Sequence, residues 1–390
     1  MPAFLFVLGF SDNIINIDNF KIMTTDIKTR NLGVDLLRIT AMFMVVILHV
    51  LGHGGLLMAV APKTLNYNLV WFLEIMAYCA VDCYALITGY VLVNSGFKLS
   101  RILKLWVEVL FYSIAITAVI AFFQPDLINL KIITATFFPL LTTRYWYFTA
   151  YFGLFFFIPF LNYLINSIEE KQLRKLILAS ILLFSIIPTM IQRDLFLTGG
   201  GGGTLWLGVL YLIGAYIKKY DFNKLLNKNK YLLLYFSCII IVWATKLAIE
   251  LLTFKILGEP KGGDFFISYT SPFILLAGIS LVNFFSQLNF KEGYLSKAIT
   301  ILAPSSFAVY LIHDHFLIRE FYLGKSTMAL ANFTSLKMIA LVFSLAIAIY
   351  LICSLIDYLR IKLFRVLKIN ILIDKISEKL LSIFSKTLKL

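Results

Sequence analysis

Residues 33–55 read GVDLLRITAMFMVVILHVLGHGG, and this stretch decides the fold. Between Asp35 and His53 only Arg38, Thr40 and His49 are polar. A run of about 20 such residues is what an α-helix needs to cross a hydrocarbon core. The same character extends over the chain. Of its 390 residues 60% are apolar and 14% charged, and the mean hydropathy is +0.88. Soluble domains hold about 45–50% apolar and about 25% charged residues, so 36 Phe and 20 Tyr leave too little polar surface for a water-soluble particle. Intrinsic disorder, a disulfide scaffold and a soluble α/β enzyme are excluded on this ground. The reading is an all-α, polytopic membrane helical bundle.

Ten stretches are long and apolar enough to be read as spans, near 33–52, 68–93, 102–123, 145–166, 175–191, 204–218, 230–253, 266–286, 299–319 and 334–358. The fifth and sixth are short. The segment 127–142 is apolar but brief and ends near Pro139, as in a re-entrant or interfacial piece. An even number of spans puts both termini on one side. With both in the cytoplasm, 24 of the 35 basic residues fall in inside segments, which agrees with the positive-inside rule. The net charge of +14 is therefore read chiefly as topology, with anionic lipid or an anionic cosubstrate as the other source of selection. MPAFLFVLGF at the start is too short to span and lacks a cleavage site, and Met23 offers a second start. No linker divides the chain. The expected organisation is a cytoplasmic segment 1–32, a ten-span domain 33–358, and a basic amphipathic tail 359–390 lying on the inner leaflet.

Charged groups inside spans cost roughly 2.5–3.5 kcal/mol each on insertion scales, so they are the best pointers to function. Arg38 and His49 are eleven residues apart, close to three turns. They share one helix face and are separated by about 16 Å along the axis. Asp35 sits three residues before Arg38, within pairing reach, and His53 follows His49 by one turn. In the second span Glu74, Tyr78 and Asp82 form an i, i+4, i+8 stripe, and Asp82 is a candidate partner for Arg38. In the ninth, Ser306, Tyr310 and His313 share a face, with Asp314, His315 and Arg319 near the outer end. The histidine and carboxylate spacings are not diagnostic of a metal, and none is expected. The cysteines Cys79, Cys83, Cys238 and Cys353 read as small core residues. Gly199–Gly203 reads as a flexible loop tip, or as a loop that lets a bulky polar acceptor approach. No phosphate-binding glycine loop, dinucleotide fingerprint, nucleophile elbow or metalloprotease helix occurs.

Arg, ten residues and His within LLRITAMFMVVILH (36–49) resembles the signature of the acyltransferase-3 family of integral membrane O-acyltransferases. AVDCYALITGY (80–90) is similar to the family's second-span segment, with Cys83, Tyr84 and Thr88 where an aromatic pair and Ser are usual. RYWYFTAYFGLFFFIPFLNYL (144–164), GTLWLGVLYLIGAYIKKY (203–220) and SSFAVYLIH (305–313) resemble its later segments in the same order.

The resemblance implies transfer of an acyl group, most often acetyl from acetyl-CoA, to a sugar hydroxyl of a surface polysaccharide or lipid-linked glycan. It maps the family's essential Arg and His onto Arg38 and His49. It further implies a stand-alone enzyme of the inner (plasma) membrane, without an extracytoplasmic esterase-like domain. In the reading that follows, Arg38, Arg101 and Lys104, with Lys98, hold the CoA phosphates. His49 acts as general base or acyl carrier, tuned by Asp35, Asp82 or Glu74. Glu74, Trp146, Tyr147, Ser306, Tyr310 and His313 contact substrate, with membrane lipid and the glycan as partners. The rival reading is a transporter or flippase that uses the same buried groups as a relay.

Overall fold

The computed structural model describes residues 31–221 and 225–387, and all regular structure among them is helical. The expectations for residues 1–30, including the basic residues at 21–30, lie outside the described residues. Each of the ten apolar stretches contains helix. The first is α1, Leu32–Leu51, whose N-cap Asn31 accepts the Val34 N–H through its side chain. The second is broken at Cys79 into α2, Leu65–Tyr78, and α3, Ala80–Leu92. Then follow α4, Leu99–Phe123; α5, Leu130–Phe137; and α6, Trp146–Ser167. Next is α7, Glu170–Ile181, which continues through a π turn at Leu182–Ile186 into Ile187–Ile191. The wide turn precedes Pro188, whose missing N–H would break an ordinary ladder. Helices α8, Thr204–Lys219; α9, Lys228–Leu257; and α10, Pro272–Ser286 come next. After them are α11, Tyr294–Leu302; α12, Ser306–His313; α13, Ser335–Val366; and α14, Ile369–Thr387.

Eight of these segments are long and apolar enough to cross a membrane. The two others of the ten expected, α8 and α10, have 16 and 15 residues. At 1.5 Å per residue they reach about 24 Å, short of the ~30 Å hydrocarbon core. Both are shielded. Helix α8 is buried almost without interruption from Trp206 to Ile217, so it needs no lipid-facing stripe. In α4, α9 and α13 only 28% of the central window is buried, against 67% in α1. Their outward Phe122, Leu233 and Leu351 are exposed, as a surface bathed in acyl chains requires.

The segment 127–142 folds as the short helix α5 beside the end of α4. There Ser113 Oγ donates to Thr136 O at 2.9 Å, and Leu130 and Phe137 are exposed. The last span runs past Tyr358 to Val366. A left-handed Lys368 then turns the chain into α14, which packs on α4 and holds Lys104 through Asp374 at 2.7 Å. That hydrogen bond holds the Asp374 carboxyl below the usual range. All four cysteines are buried and free, in agreement with a packing role.

The bundle has two ends. At one, the Lys325 N–H donates to His53 O at 3.1 Å and the Thr327 N–H to Gly54 O at 3.0 Å. At the other, where Arg38 lies, Asn31 Nδ2 donates to Ser286 O at 3.1 Å and Asn162 Nδ2 to Leu92 O at 2.9 Å. The centre is the contact of α3 with α8. A Cβ on Gly89 would lie 2.1 Å from Tyr211 O, and one on Gly214 would lie 2.0 Å from Leu86 O. The two backbones touch, as small residues allow between membrane helices. A Gly214→Val change must push them apart. We expect it to cost roughly 1–3 kcal/mol or more, read as a lower midpoint of thermal unfolding in detergent. Gly96→Ala, with nothing within 4 Å, is the control and should leave the midpoint in place.

Candidate active site

His49 is carried to the end of α1, and His313 is the last residue of α12. The two helices pack so that His49 Nδ1 lies 2.9 Å from His313 Nε2, with ring centroids 4.9 Å apart. The other nitrogen of His313, Nδ1, is 2.5 Å from Val309 O. A carbonyl only accepts, so Nδ1 of His313 carries the proton and, in the neutral ring, Nε2 is the acceptor. His49 Nδ1 must then donate, which leaves the lone pair on His49 Nε2. The geometry assigns the tautomer of both rings from one backbone carbonyl.

The carboxylate beside this pair is Asp314, with Oδ1 3.7 Å from His49 Nδ1. Arg319 Nη1 holds the same oxygen at 3.3 Å. This corrects the expectation that Asp35, Asp82 or Glu74 would tune His49. His53 stacks its ring edge-on to His49 at 4.8 Å. His49, His53 and Asp314 place one ligand atom each within 4.8 Å of one another, but a cation taking His49 Nδ1 would break the bond to His313. His315 does not join the group. It stacks on Phe316, faces Thr117 Oγ1 at 3.5 Å and accepts the Leu317 N–H.

Arg38 pairs with Asp35 at 2.8 Å, as the i, i+3 spacing predicts, and is a third exposed. It does not pair with Asp82. That carboxylate is fully buried and accepts from Trp206 Nε1 at 3.2 Å, because Trp206 on α8 is driven against α3 by the glycine contact. Asp82 Oδ2 and Glu74 Oε2 have no hydrogen-bond partner among the described residues. Arg101 contacts Gly96 O at 3.4 Å, whereas Lys104 is engaged by Asp374.

Rings connect the two ends of the bundle. Tyr78 stacks on Tyr269 at 4.9 Å, Tyr269 on Trp146 at 5.9 Å, and Trp146 meets Tyr147 at 5.6 Å. Tyr147 meets Tyr84 at 6.2 Å, and the Tyr84 hydroxyl donates to Arg38 O at 2.7 Å. The Tyr147 hydroxyl is buried without a partner. Tyr145 donates to Leu311 O at 3.0 Å and its ring faces Tyr310 at 5.8 Å, which ties the start of α6 to α12. Ser306 is satisfied by the Tyr350 hydroxyl at 3.2 Å and so contributes to packing.

The glycine run Gly199–Gly203 is ordered around Asp194, which corrects the flexible-tip expectation. Asp194 accepts from the N–H and hydroxyl of Thr198 and from the N–H groups of Gly199 and Gly200. Gly199, Gly200 and Gly201 have φ of 65°, 63° and 96°, which only glycine adopts without cost.

Sequence reasoning missed Tyr269 and Trp206 as site residues. Trp206 lay within the segment 203–220, quoted only for its family resemblance, and Tyr269 carries no local signal. Trp206→Phe would leave Asp82 buried with neither oxygen satisfied. We expect it to destabilise the protein by about 1–3 kcal/mol, measured as a lower midpoint of thermal unfolding in detergent.

A family model described as an acyltransferase domain matches residues 31–358. No curated protein and no solved structure matches the chain.

Proposed function

Starting from the premise that the chain belongs to the acyltransferase-3 family and is a polytopic membrane acyltransferase, we propose that it moves an acetyl group from acetyl-CoA to a sugar hydroxyl of a surface polysaccharide or lipid-linked glycan. The observation that carries this reading is the chain Val309 O, His313, His49, which leaves the lone pair of His49 Nε2 unused. His49 then acts as the general base. Its Nε2 takes the proton of the acceptor hydroxyl as that oxygen attacks the thioester carbonyl carbon. The tetrahedral intermediate collapses with cleavage of the carbon–sulfur bond, and the CoA thiolate takes the proton back from Nε2. Asp314, 3.7 Å from the other nitrogen, stabilises the transient imidazolium.

Arg38 and Arg101, at the opposite end, meet the donor's phosphates, Arg38 while sharing its charge with Asp35 and Lys104 being engaged by Asp374. In the N-in, C-in orientation that end faces the cytosol, where acetyl-CoA is found, and the His53 end opens outside the inner membrane. The row of rings from Tyr84 to Tyr78 would flank the narrow pantetheine arm and the acceptor on either side of the reacting carbon. The clustering of His49, His53, His313 and Asp314 at one end favours a reaction centre over a relay distributed across the membrane.

His49→Gln should lower acetyl transfer by about 10²–10⁴-fold, the range of a lost general base. Its KM for acetyl-CoA should stay near that of the native protein. Transfer at the native rate in this variant removes the mechanism. Arg38→Ala should raise the KM for acetyl-CoA about tenfold and flatten its dependence on salt, because one phosphate contact is screened by ions. An unchanged KM removes Arg38 from donor binding.

A further inference from the structure

The ordered glycine loop walls a cavity that the acyl-transfer chemistry above does not use. It has a volume of about 220 Å³ and lies between the end of α7, the Asp194–Gly200 segment and residues 264–270. Drug-sized pockets run from roughly 300 to 1,000 Å³, so this one holds a single small ring and not a CoA molecule. Its lining is mixed, with Pro188, Phe265 and Ile267 among hydroxyl-bearing and charged residues. Thr189 is 4% exposed, lines the cavity, and its Oγ1 has no hydrogen-bond partner among the described residues. Such a buried hydroxyl carries a cost until something bonds to it. Ser268 and Thr270 add hydroxyls 3.3 Å apart. Arg193 is matched in charge by Asp264, and Asp194 is consumed in holding the loop. Although burial works against it, the hydrogen bonds from Thr198, Gly200 and Gly199 hold the Asp194 carboxyl below the usual range. The cavity thus offers hydroxyls and no surplus cation, since the one lining arginine is outnumbered by Asp194 and Asp264.

The cavity also abuts the aromatic row. A Cβ on Gly201 would lie 2.5 Å from Tyr269 Cβ, and one on Gly202 would lie 3.4 Å from the Trp146 ring. Trp146 follows Tyr145, whose hydroxyl is bonded to Leu311 O, two residues before His313. A ring held here would meet Phe265 in the lining, with the glycine loop between it and the row that leads toward the reacting histidine. Hydroxyls lining a small cavity that also holds an apolar ring, here Phe265, are the features that recognise a pyranose. We propose that this cavity is a docking subsite for an uncharged sugar ring of the acceptor glycan, with Thr189, Ser268 and Thr270 bonding its hydroxyls. The proposal rests on the acyltransferase reading for the word acceptor, but the binding it claims is independent of catalysis.

The test uses the purified full-length protein in detergent with methyl α-glucopyranoside as neutral probe, and methyl glucuronide and glucose 6-phosphate as anionic ones. Saturation-transfer NMR should show the neutral probe binding in the millimolar range, and the anionic probes at least fivefold weaker. Thr189→Val removes the unbonded hydroxyl with little change of shape and should weaken the neutral probe at least threefold. Ser268→Trp, which fills the cavity from a half-buried loop, should abolish its signal. His49→Ala should bind it as the native protein does, so failure of the acyl-transfer mechanism and failure of this subsite are read separately. No saturation transfer from the neutral probe, equal binding of the anionic ones, or binding that survives Ser268→Trp overturns the proposal.

Discussion

The backbone contact between α3 and α8 is the constraint on which the rest depends. Gly89 and Gly214 let the two helices meet with no side chain between them. In a bilayer this closeness supplies dispersion that the hydrophobic effect cannot, because lipid tails are as apolar as leucine. The contact makes α8, too short to span, a fully wrapped central rod. It also sets Trp206 over Asp82 and places the glycine loop that precedes α8 against Trp146 and Tyr269. The aromatic row inherits its position from that pairing.

Buried charges in this bundle fall into two kinds. Lys246 meets Glu250 and the Tyr67 hydroxyl and sits over the Trp71 ring, joining α9 to α2. Arg360 meets both Asp357 and Glu108, joining α13 to α4. These ions are paired and lie toward the periphery of the bundle, where they fix one helix against the next. Losing one partner would strand the other in low dielectric. Glu74 and Asp82 are different, for among the described residues neither meets a cation, and each keeps a buried oxygen with no hydrogen-bond partner. An ion pair ties one helix to the next, a tie that a carboxylate without a cation does not supply.

The site places its polar groups at opposite ends of one helix, about 16 Å apart by helical rise. The end bearing Arg38 is a third exposed and carries positive charge. The end bearing His49 is enclosed by His313, Asp314 and Arg319. The two ends of one spanning helix thus offer opposite surroundings, one partly open beside a guanidinium and the other enclosed.

The sequence by itself determined the class and the spans, because hydropathy is a local quantity and a bilayer tolerates nothing but satisfied backbone. It also determined the Arg38–Asp35 pair and the common face of Arg38 and His49, since helical period fixes both within one segment. It did not determine which groups meet across the bundle. His49 and His313 are 264 residues apart, Asp82 and Trp206 are 124, and neither spacing says which rotamer or which nitrogen will face the other. The assignments of Asp82 to Arg38 and of Asp35 to His49 failed for that reason. So did the reading of the glycine run as a loose tip, since the residue that orders it, Asp194, acts through backbone N–H groups that no side-chain pattern reveals. Those choices belong to the tertiary structure, where helix packing decides which lone pair finds a proton.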